Sequence, residues 1–231
     1  MPPEIQTTAD RSHTLVSERF AVSYHSRHGA VTESEHVFID AGARPPLAGA
    51  APATLNVLEM GFGTGLNALL LRRLAAGHPA TAFAYVGFER YPLELGTVEQ
   101  LNYAEVLAGP QEQFLELHRA AAGQPHGLDP NFSLTVHHAD WLAPTAKELL
   151  PPASQDVIFY DAFAPGSQPE LWAPPALARC AHWLREGGVL VTYCARGQFK
   201  RDLRAAGFLV EALPGPPGKR EMTRATLVRA N

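Results

Sequence analysis

Acidic residues and glycines are concentrated where one apolar run of the sequence ends. The stretch VLEMGFGTGLNALLL, residues 57–71, carries an acid, Glu59, two positions before three alternating glycines, which are Gly61, Gly63 and Gly65. Glycines at this spacing permit a tight turn and let a ligand approach the backbone closely. The apolar runs on either side indicate a strand that leads through the turn into a helix. The turn is therefore a candidate ligand site, although packing alone could also account for its glycines.

Three more acids stand where later apolar runs end. Glu89 closes FAYVGFE, Asp140 closes FSLTVHHAD and precedes Trp141, and Asp161 follows DVIFY. Because parallel strands present their carboxyl ends at one edge of a sheet, we expect these acids near the glycine turn. There, Glu89 can accept hydrogen bonds from two ribose hydroxyls, while Asp140 and Trp141 suit the amine and the ring face of an adenine.

The charge of the expected ligand follows from Glu59. A nicotinamide dinucleotide would bring its pyrophosphate to the glycine turn, where this carboxylate would repel it. A ligand with a sulfonium and an ammonium group would tolerate the carboxylate, so the pattern favours S-adenosylmethionine over a dinucleotide. The residues predicted to bind this cofactor are Glu59, Gly61, Gly63, Gly65, Asn67, Glu89, Asp140, Trp141 and Asp161.

Asp161 is the candidate catalytic residue. It leaves its strand where both a transferable methyl group and a substrate nucleophile are expected, and Phe163 and Pro165 form a stiff apolar wall after it. The alternative is that Asp161 caps the following helix. That helix is predicted to start near Pro169, several residues later, which argues against a capping role.

The remaining pattern alternates strands with helices, which predicts a mostly parallel sheet covered on both faces. The fold class is a doubly wound, Rossmann-like sheet of the class I methyltransferase kind, with seven strands and an antiparallel last strand. HGLDPN is interpreted as a turn-rich break in this alternation. The predicted strands are 54–60, 83–89, 132–140, 156–163, 188–194, 208–214 and 223–230. The predicted helices are 65–76, 92–107, 111–121, 169–184 and 198–206.

The first 52 residues do not follow this alternation. Residues 20–42 alternate loosely, like one or two strands with a turn at His28–Gly29, and a Pro/Gly/Ala linker follows over 42–53. We therefore expect an N-terminal extension over 1–52 and a methyltransferase domain over 53–231.

Composition excludes several kinds of protein. The chain has 231 residues, a formal net charge of -4 and no run of 18 apolar residues, so neither a membrane span nor a strongly basic protein is expected. Two distant cysteines, no metal-ligand cluster and no secretory signal predict a metal-free cytoplasmic protein. Residues 196–229 nevertheless hold eight basic against three acidic side chains, which fits local anion binding and a merely Arg-rich surface equally well.

Four stretches resemble the MnmC/MnmD-type tRNA methyltransferases. They are YHSRHGAVTESEHVFI (24–39), EMGFGTGLNALL (59–70), DAFAPGSQPELW (161–172) and LPGPPGKREMTRA (213–225), and they occur in the family's order. The resemblance implies methyl transfer from S-adenosylmethionine to the primary amine of 5-aminomethyl-2-thiouridine at the tRNA wobble position. Because the chain ends at Asn231, it resembles the members without an oxidase domain, and a separate enzyme would supply the aminomethyl substrate.

The resemblance also implies that the N-terminal extension over 1–52 folds over the mouth of the site as a lid, and it implies roles for further residues. Asp161 would orient the amine, because proton transfer from an ammonium of pKa about 10 to an aspartate of pKa about 4 is uphill by roughly 8 kcal/mol. The residues expected near the substrate base or near tRNA phosphates are Tyr24, His25, Glu33, Phe163, Arg196, Lys200, Lys219 and Arg220. Packing beneath a lid is an equally good explanation for Tyr24 and His25.

Other functions fit parts of the pattern. A methyltransferase for a small-molecule amine explains the fold and the cofactor, but not the basic C-terminal part. A non-catalytic tRNA- or nucleotide-binding module does not explain the acids Glu89, Asp140 and Asp161. A nicotinamide oxidoreductase is disfavoured by Glu59.

Overall fold

The main sheet of the computed structural model has eight strands, in the order β10-β11-β9-β8-β4-β5-β7-β6. The structure describes residues 4–229. The strands of this sheet are β4 (Thr54–Met60), β5 (Ala82–Phe88), β6 (His126–Asp129), β7 (Phe132–His137), β8 (Gln155–Tyr160), β9 (Leu184–Thr192), β10 (Phe208–Pro214) and β11 (Glu221–Leu227). The five strands from β9 to β7 pair in parallel, while β11 is antiparallel to both β9 and β10. The predicted doubly wound sheet with an antiparallel strand near its end is confirmed.

The predicted number of seven strands is wrong, because the HGLDPN segment contains β6. This short strand pairs antiparallel with β7, and Asp129 lies opposite Phe132 across a two-residue turn. The turn is fixed by Asn131, whose amide donates to the carbonyls of Ala75, His78 and Thr81. Strand β6 has only four residues and little apolar content, so its sequence shows no strand pattern and predicts only the turn that follows it.

Helices cover both faces of the sheet. Those after the N-terminal region are α2 (Leu66–Ala76), α3 (Leu95–Val98), α4 (Tyr103–Val106), α5 (Gln111–Arg119), α6 (Pro174–Trp183) and α7 (Gly197–Ala205). The predicted helix over 92–107 is wrong, since the chain breaks between α3 and α4. Asn102 causes the break by accepting a hydrogen bond from the His13 amide at 2.8 Å and donating one to the Arg11 carbonyl. Tertiary contacts here override local helix propensity.

A small N-terminal sheet precedes the main one. Its strands β1 (Glu4–Thr7), β2 (His13–Ser17) and β3 (Val22–Ser23) pair antiparallel in chain order. Short strands in this region are confirmed, but the predicted strands beyond residue 24 are wrong. That segment is a helix, α1 (Ala30–Ser34), which continues over Glu35–Ala43 with wider turns.

The long N-terminal helix forms because its ends and one face are satisfied by the rest of the protein. At its start, side chains of Thr8, Asp10 and Ser12 accept hydrogen bonds from the first helical amides. Along its length, Phe38 packs against Phe159 of β8, with ring centroids 5.4 Å apart. The helix therefore belongs to the main core, and the division of the chain at residue 52 stays a prediction.

The N-terminal helix also contacts the hairpin between β10 and β11. His36 Nε2 lies 2.9 Å from the Pro214 carbonyl oxygen, and Lys219 Nζ lies 2.9 Å from a Glu33 oxygen. These contacts hold together two stretches that are far apart in the sequence.

Among the described residues, no helix is long and apolar enough to cross a bilayer.

Candidate active site

The glycine turn connects β4 to α2 in a conformation that glycine favours. Gly61, Gly63 and Gly65 have φ angles of 87°, 51° and 73°. A Cβ on Gly61 would lie 2.7 Å from the carbonyl oxygen of Asp161, and one on Gly65 would lie 2.7 Å from Nε2 of His118. Gly61 therefore lets the turn approach the end of β8, whereas Gly65 is required by packing against His118 and does not line the cavity beside the turn.

A cavity of about 250 Å³ opens beside this turn, at the carboxyl ends of β4, β5, β7 and β8. The structure brings many of the predicted site residues together around it. Those that line it are Tyr24, His25, Gly61, Gly63, Asn67, Glu89, Asp140, Trp141, Asp161 and Phe163. Those that do not line it are Glu33, Glu59, Gly65, Arg196, Lys200, Lys219 and Arg220.

Glu59 lies behind the cavity wall, and not at its surface as the sequence suggested. Its side chain is 0% exposed and accepts hydrogen bonds from the Tyr85 hydroxyl and from Asn67 Nδ2, the latter at 2.7 Å. Burial, and next the negative charge of Asp161, raise the pKa of Glu59 well above its usual range. A ligand in the cavity would therefore contact Asn67, and Glu59 would act only through that amide.

Asp161 stands at the centre of the site. One of its oxygens, Oδ2, accepts a hydrogen bond of 2.9 Å from Asn67 Nδ2, so that one amide group serves both Asp161 and Glu59. Burial and the charge of Glu33 raise the pKa of Asp161 to about 7, against the opposing effects of Asn67 and Lys219. With an ammonium pKa of about 10, proton transfer to Asp161 is uphill by only about 4 kcal/mol. Asp161 is thus a better proton acceptor than the sequence alone indicated.

Glu89 holds the glycine turn in place. One of its carboxylate oxygens accepts a hydrogen bond from the Gly63 amide at 2.8 Å, and the other accepts one from the Tyr91 amide at 2.7 Å. Burial raises the pKa of Glu89. A carboxylate has about four lone-pair sites, so two remain to accept ribose hydroxyls.

The two candidate adenine contacts after β7, Asp140 and Trp141, lie in different surroundings. Asp140 forms an ion pair of 2.7 Å with Arg90 and accepts a hydrogen bond from the Leu142 amide. Trp141 is 3% exposed, and its ring packs edge-on against Trp183 with centroids 4.8 Å apart. The indole packs mainly in the core but also lines the cavity, and its stacking on an adenine stays a prediction.

An aromatic wall surrounds the mouth of the cavity. Phe163 packs against Tyr24 and Phe20, each with ring centroids 4.9 Å apart, and Phe20 lies 6.3 Å from Tyr91. Arg19 stacks over the Tyr91 ring at 4.0 Å. Sequence reasoning missed Phe20 and Tyr91, although Tyr91 follows Glu89 closely enough to have been suspected.

The two N-terminal residues predicted near the base are uncharged in this setting. Burial lowers the pKa of His25 to about 4, and its ring lies 3.4 to 3.5 Å from hydroxyls of Thr14 and Tyr103. Burial also raises the pKa of Tyr24 to about 12, and its ring lies over Gly63. His25 is therefore part of a buried polar layer, while Tyr24 covers the glycine turn.

The basic residues separate into two groups. Lys219 forms an ion pair of 2.9 Å with Glu33, and Lys200 forms one of 2.9 Å with Glu221. Arg196 and Arg220 are exposed. Both lysines are thus paired with acids of the protein, and contacts of these four cations with tRNA phosphates stay a prediction.

No group of three or more His, Cys, Asp or Glu side chains among residues 4–229 could hold a metal ion. Both cysteines, Cys180 and Cys194, are buried free thiols.

A doubly wound sheet with an acid-flanked glycine turn at its carboxyl edge defines a nucleotide-cofactor enzyme of the Rossmann-like class. The sequence model of a family of S-adenosyl-L-methionine-dependent methyltransferases matches residues 102–228, and the chain belongs to this family. Its cofactor is accordingly S-adenosylmethionine, as the acids of the site predicted.

Individual relatives make the similarity more specific. The chain is 33% identical over 218 residues to the tRNA 5-methylaminomethyl-2-thiouridine biosynthesis bifunctional protein MnmC of Idiomarina loihiensis, covering 90% of this chain and 36% of that protein. It is 30% identical to the protein of the same name from Ralstonia nicotianae, covering 92% of this chain and 33% of that one. The chain thus spans about a third of the length of these relatives. The resemblance to MnmC-type methyltransferases is confirmed.

Solved structures agree with this relationship. The crystal structure of MNMC2 from Aquifex aeolicus superimposes with a TM-score of 0.80 at 26% identity, covering 99% of this chain and 73% of that one. A spermidine synthase complex superimposes with a TM-score of 0.54 at 16% identity, which shows a shared fold alone.

The described residues fit the family's cofactor. Gly63 lies under the Tyr24 ring, where a Cβ would come within 3.2 Å of it, so the turn has no room for a side chain. Asn67 Oδ1 is buried without a hydrogen-bond partner among the described residues, and could accept a bond from an ammonium group of the ligand. Glu89 retains acceptor sites for ribose hydroxyls.

Proposed function

We propose that this protein methylates the primary amine of 5-aminomethyl-2-thiouridine at the tRNA wobble position, giving 5-methylaminomethyl-2-thiouridine. The observation that carries the proposal is Asp161, a carboxylate with a raised pKa of about 7 that lines a cavity walled by Phe163 and Tyr24. It lies in a chain that matches relatives named for 5-methylaminomethyl-2-thiouridine biosynthesis over 90% of its length.

The residues of the cavity have separate tasks in this reaction. S-adenosylmethionine supplies an electrophilic methyl group, and the new N–C bond forms as the C–S bond breaks. Glu89, Asn67 and the glycine turn hold the cofactor. Asp161 accepts a hydrogen bond from the amine, aims its lone pair at the methyl carbon and stabilises the cationic product. With its pKa near 7, Asp161 also takes up the amine proton at a smaller cost than an ordinary aspartate would.

The aromatic wall favours a flat substrate at the mouth of the cavity. Phe163, Tyr24 and Phe20 form a nearly continuous aromatic surface on which a pyrimidine taken out of its stack can lie. This geometry supports a nucleobase more than a flexible aliphatic amine.

Two exposed arginines, Arg196 and Arg220, supply the phosphate contacts in this proposal. Such contacts position an RNA without reading its sequence. We further infer that residues 1–52 act as a lid on a domain over 53–231, that the protein works in the cytoplasm, and that a separate enzyme supplies the aminomethyl uridine. The strong packing of Phe38 in the core restricts any lid movement to the part of the chain before the helix.

Label transfer from S-adenosylmethionine into tRNA tests the proposal. Bulk tRNA from cells that lack this protein should accept the label, and nucleoside analysis should place it on the wobble uridine. Asp161→Asn, which keeps the shape of the side chain, should remove most single-turnover activity while cofactor binding persists. Transfer into a free small amine, with none into tRNA, would support a small-molecule methyltransferase instead. Cofactor binding without transfer to either acceptor would leave a non-catalytic binding module.

A further inference from the structure

A partly buried ion pair between Glu33 and Lys219 has no task in the reaction proposed above. Glu33, on the first turn of α1, is 7% exposed, and its Oε2 accepts a hydrogen bond of 2.9 Å from Lys219 Nζ. Lys219 itself is 31% exposed and lies in the turn between β10 and β11. The pair therefore joins the N-terminal helix to the C-terminal hairpin at the active-site edge of the sheet.

Contacts connect this pair to the backbone of the catalytic strand end. Lys219 Nζ lies 3.9 Å from the centre of the Tyr193 ring, and the Tyr193 hydroxyl donates a hydrogen bond of 2.7 Å to the Ala162 carbonyl. Ala162 directly follows Asp161. Lys219, the Tyr193 ring and the backbone carbonyl next to Asp161 therefore form one continuous chain of contacts.

The two charges of the pair act on Asp161 in opposite directions. Glu33 raises the pKa of Asp161, and Lys219 lowers it. The other polar groups whose charge or hydrogen bonds are coupled to this carboxylate are Asn67, Glu59, Tyr85, Tyr103 and Tyr193. Glu59 has a pKa raised well above its usual range, and the tyrosine pKa values are raised as well, so these groups favour their neutral forms. Glu33 and Lys219 are consequently the charged side chains through which the surroundings adjust Asp161.

We propose that Glu33 and Lys219 are positioning residues that act on Asp161 as a pair of opposed charges, so that Lys219 serves the amine site and does not contact nucleic acid. The proposal rests on the proposed function only in taking Asp161 as the group that meets the substrate amine. It assigns the family-specific LPGPPGKREMTRA stretch a role in catalysis, since this hairpin delivers the lysine.

The titration of the Asp161 carboxyl tests this directly and needs no substrate. The chain has seven aspartates, so 13C labelling of aspartate carboxyls gives a simple spectrum in which Asp161→Asn identifies the signal of Asp161. In the whole protein its midpoint should lie at about 7. Glu33→Gln should lower the midpoint by about half a pH unit or more, since a repelling charge is lost and Lys219 stands unopposed.

Substitution of the lysine should have the opposite effect. Lys219→Met should raise the Asp161 midpoint, because the positive charge that lowers the pKa of this carboxyl is lost. The double variant, with both substitutions, should titrate between the two single variants. Lys219→Arg keeps the charge, so the Asp161 midpoint in this variant should stay within about 0.3 pH unit of its value in the unsubstituted protein. This variant keeps the proposal testable if Lys219→Met fails to fold. Lys147→Met makes the same change at an exposed lysine and should leave the midpoint unmoved.

Activity gives the second measurement. The acid limb of the single-turnover pH profile should move upward in Lys219→Met and downward in Glu33→Gln, with the Michaelis constant for tRNA unchanged in both. The proposal would be overturned if Lys219→Met and Glu33→Gln moved the Asp161 midpoint in the same direction, or if neither moved it. It would also be overturned if either variant raised the Michaelis constant for tRNA while the pH profile stayed in place. If the carboxyl shifts occur but tRNA is not methylated, the proposed substrate fails while the role of the pair stands.

Discussion

Replacing Asn67 with alanine tests how far the cofactor and the catalytic carboxylate depend on one amide group. Asn67 Nδ2 donates to Glu59 at 2.7 Å and to Asp161 at 2.9 Å. Alanine removes both hydrogen bonds. The hydrogen bond to Asp161 lowers its pKa, so its loss should raise that pKa above about 7.

The size of the effect follows from the charge of the acceptor. A hydrogen bond to a charged group contributes about 1.5–3 kcal/mol, which corresponds to roughly one to two pH units. With a starting pKa of about 7, half of Asp161 is ionised at neutral pH. The ionised fraction should therefore fall by roughly 5- to 50-fold in Asn67→Ala at that pH, and the single-turnover rate should fall with it.

The assay is a single-turnover pH profile, combined with calorimetry of S-adenosylhomocysteine binding. The rate of Asn67→Ala should recover at high pH, because the carboxylate is then ionised despite its higher pKa. Asn56→Ala is a matched control, since Asn56 Nδ2 donates to Asp156 at 3.2 Å at the far end of β4. The control should leave the profile in place.

Weaker cofactor binding in Asn67→Ala with an unmoved acid limb would refute this reasoning. Asn67 would then be a cofactor ligand alone, and its bond to Asp161 would have no influence on the reaction.

Three further outcomes follow from the same site. Glu89→Gln should weaken S-adenosylhomocysteine binding by roughly 10- to 100-fold in calorimetry, since one acceptor for a ribose hydroxyl is lost, and unchanged affinity would contradict the ribose role. The double substitution of Arg196 and Arg220 by glutamate should raise the Michaelis constant for tRNA and flatten its salt dependence without altering cofactor affinity. A Michaelis constant equal to that of the unsubstituted protein would argue against phosphate contacts at these two arginines. Because the pKa of Asp161 is raised to about 7, the folded protein binds this proton more tightly than the unfolded chain and loses stability as pH rises from about 4 to about 7. Asp161→Asn should consequently raise Tm at pH 8 more than at pH 4, and a Tm gain that does not depend on pH would exclude this linkage.

Local patterns were sufficient to predict the elements that hold the cofactor. Strand β4 and helix α2 are apolar runs interrupted by glycines, and both lie where the sequence placed them. The helix after Ala30 was missed because its loosely alternating residues also suit strands. The spacing of Ala30, Ser34, Val37 and Ala41 fits one face of a helix, and this signal could have identified it.

Long-range contacts account for what the sequence could not predict about the site. The acids at the strand ends were placed correctly because parallel strands share an edge. That Glu59 faces the core depends on Tyr85, which is 26 residues away. The pairing of Lys219 with Glu33 spans 186 residues, and no local pattern reports it. A count of charges along the sequence therefore grouped Lys219 with the surface cations.

The contacts between the N-terminal helix and the last hairpin impose an order on the synthesis of the site. A ribosome adds Glu33 and His36 well before their partners Lys219 and Pro214, which come 186 and 178 residues later. A nascent chain that has emerged only to β9 possesses the glycine turn, Glu89 and Asp161, yet Glu33 is still without its counterion. The glycine turn and the acids Glu89 and Asp161 are therefore made first, whereas the balance of charge at the amine site is completed only when the two paired stretches have both been made and have met.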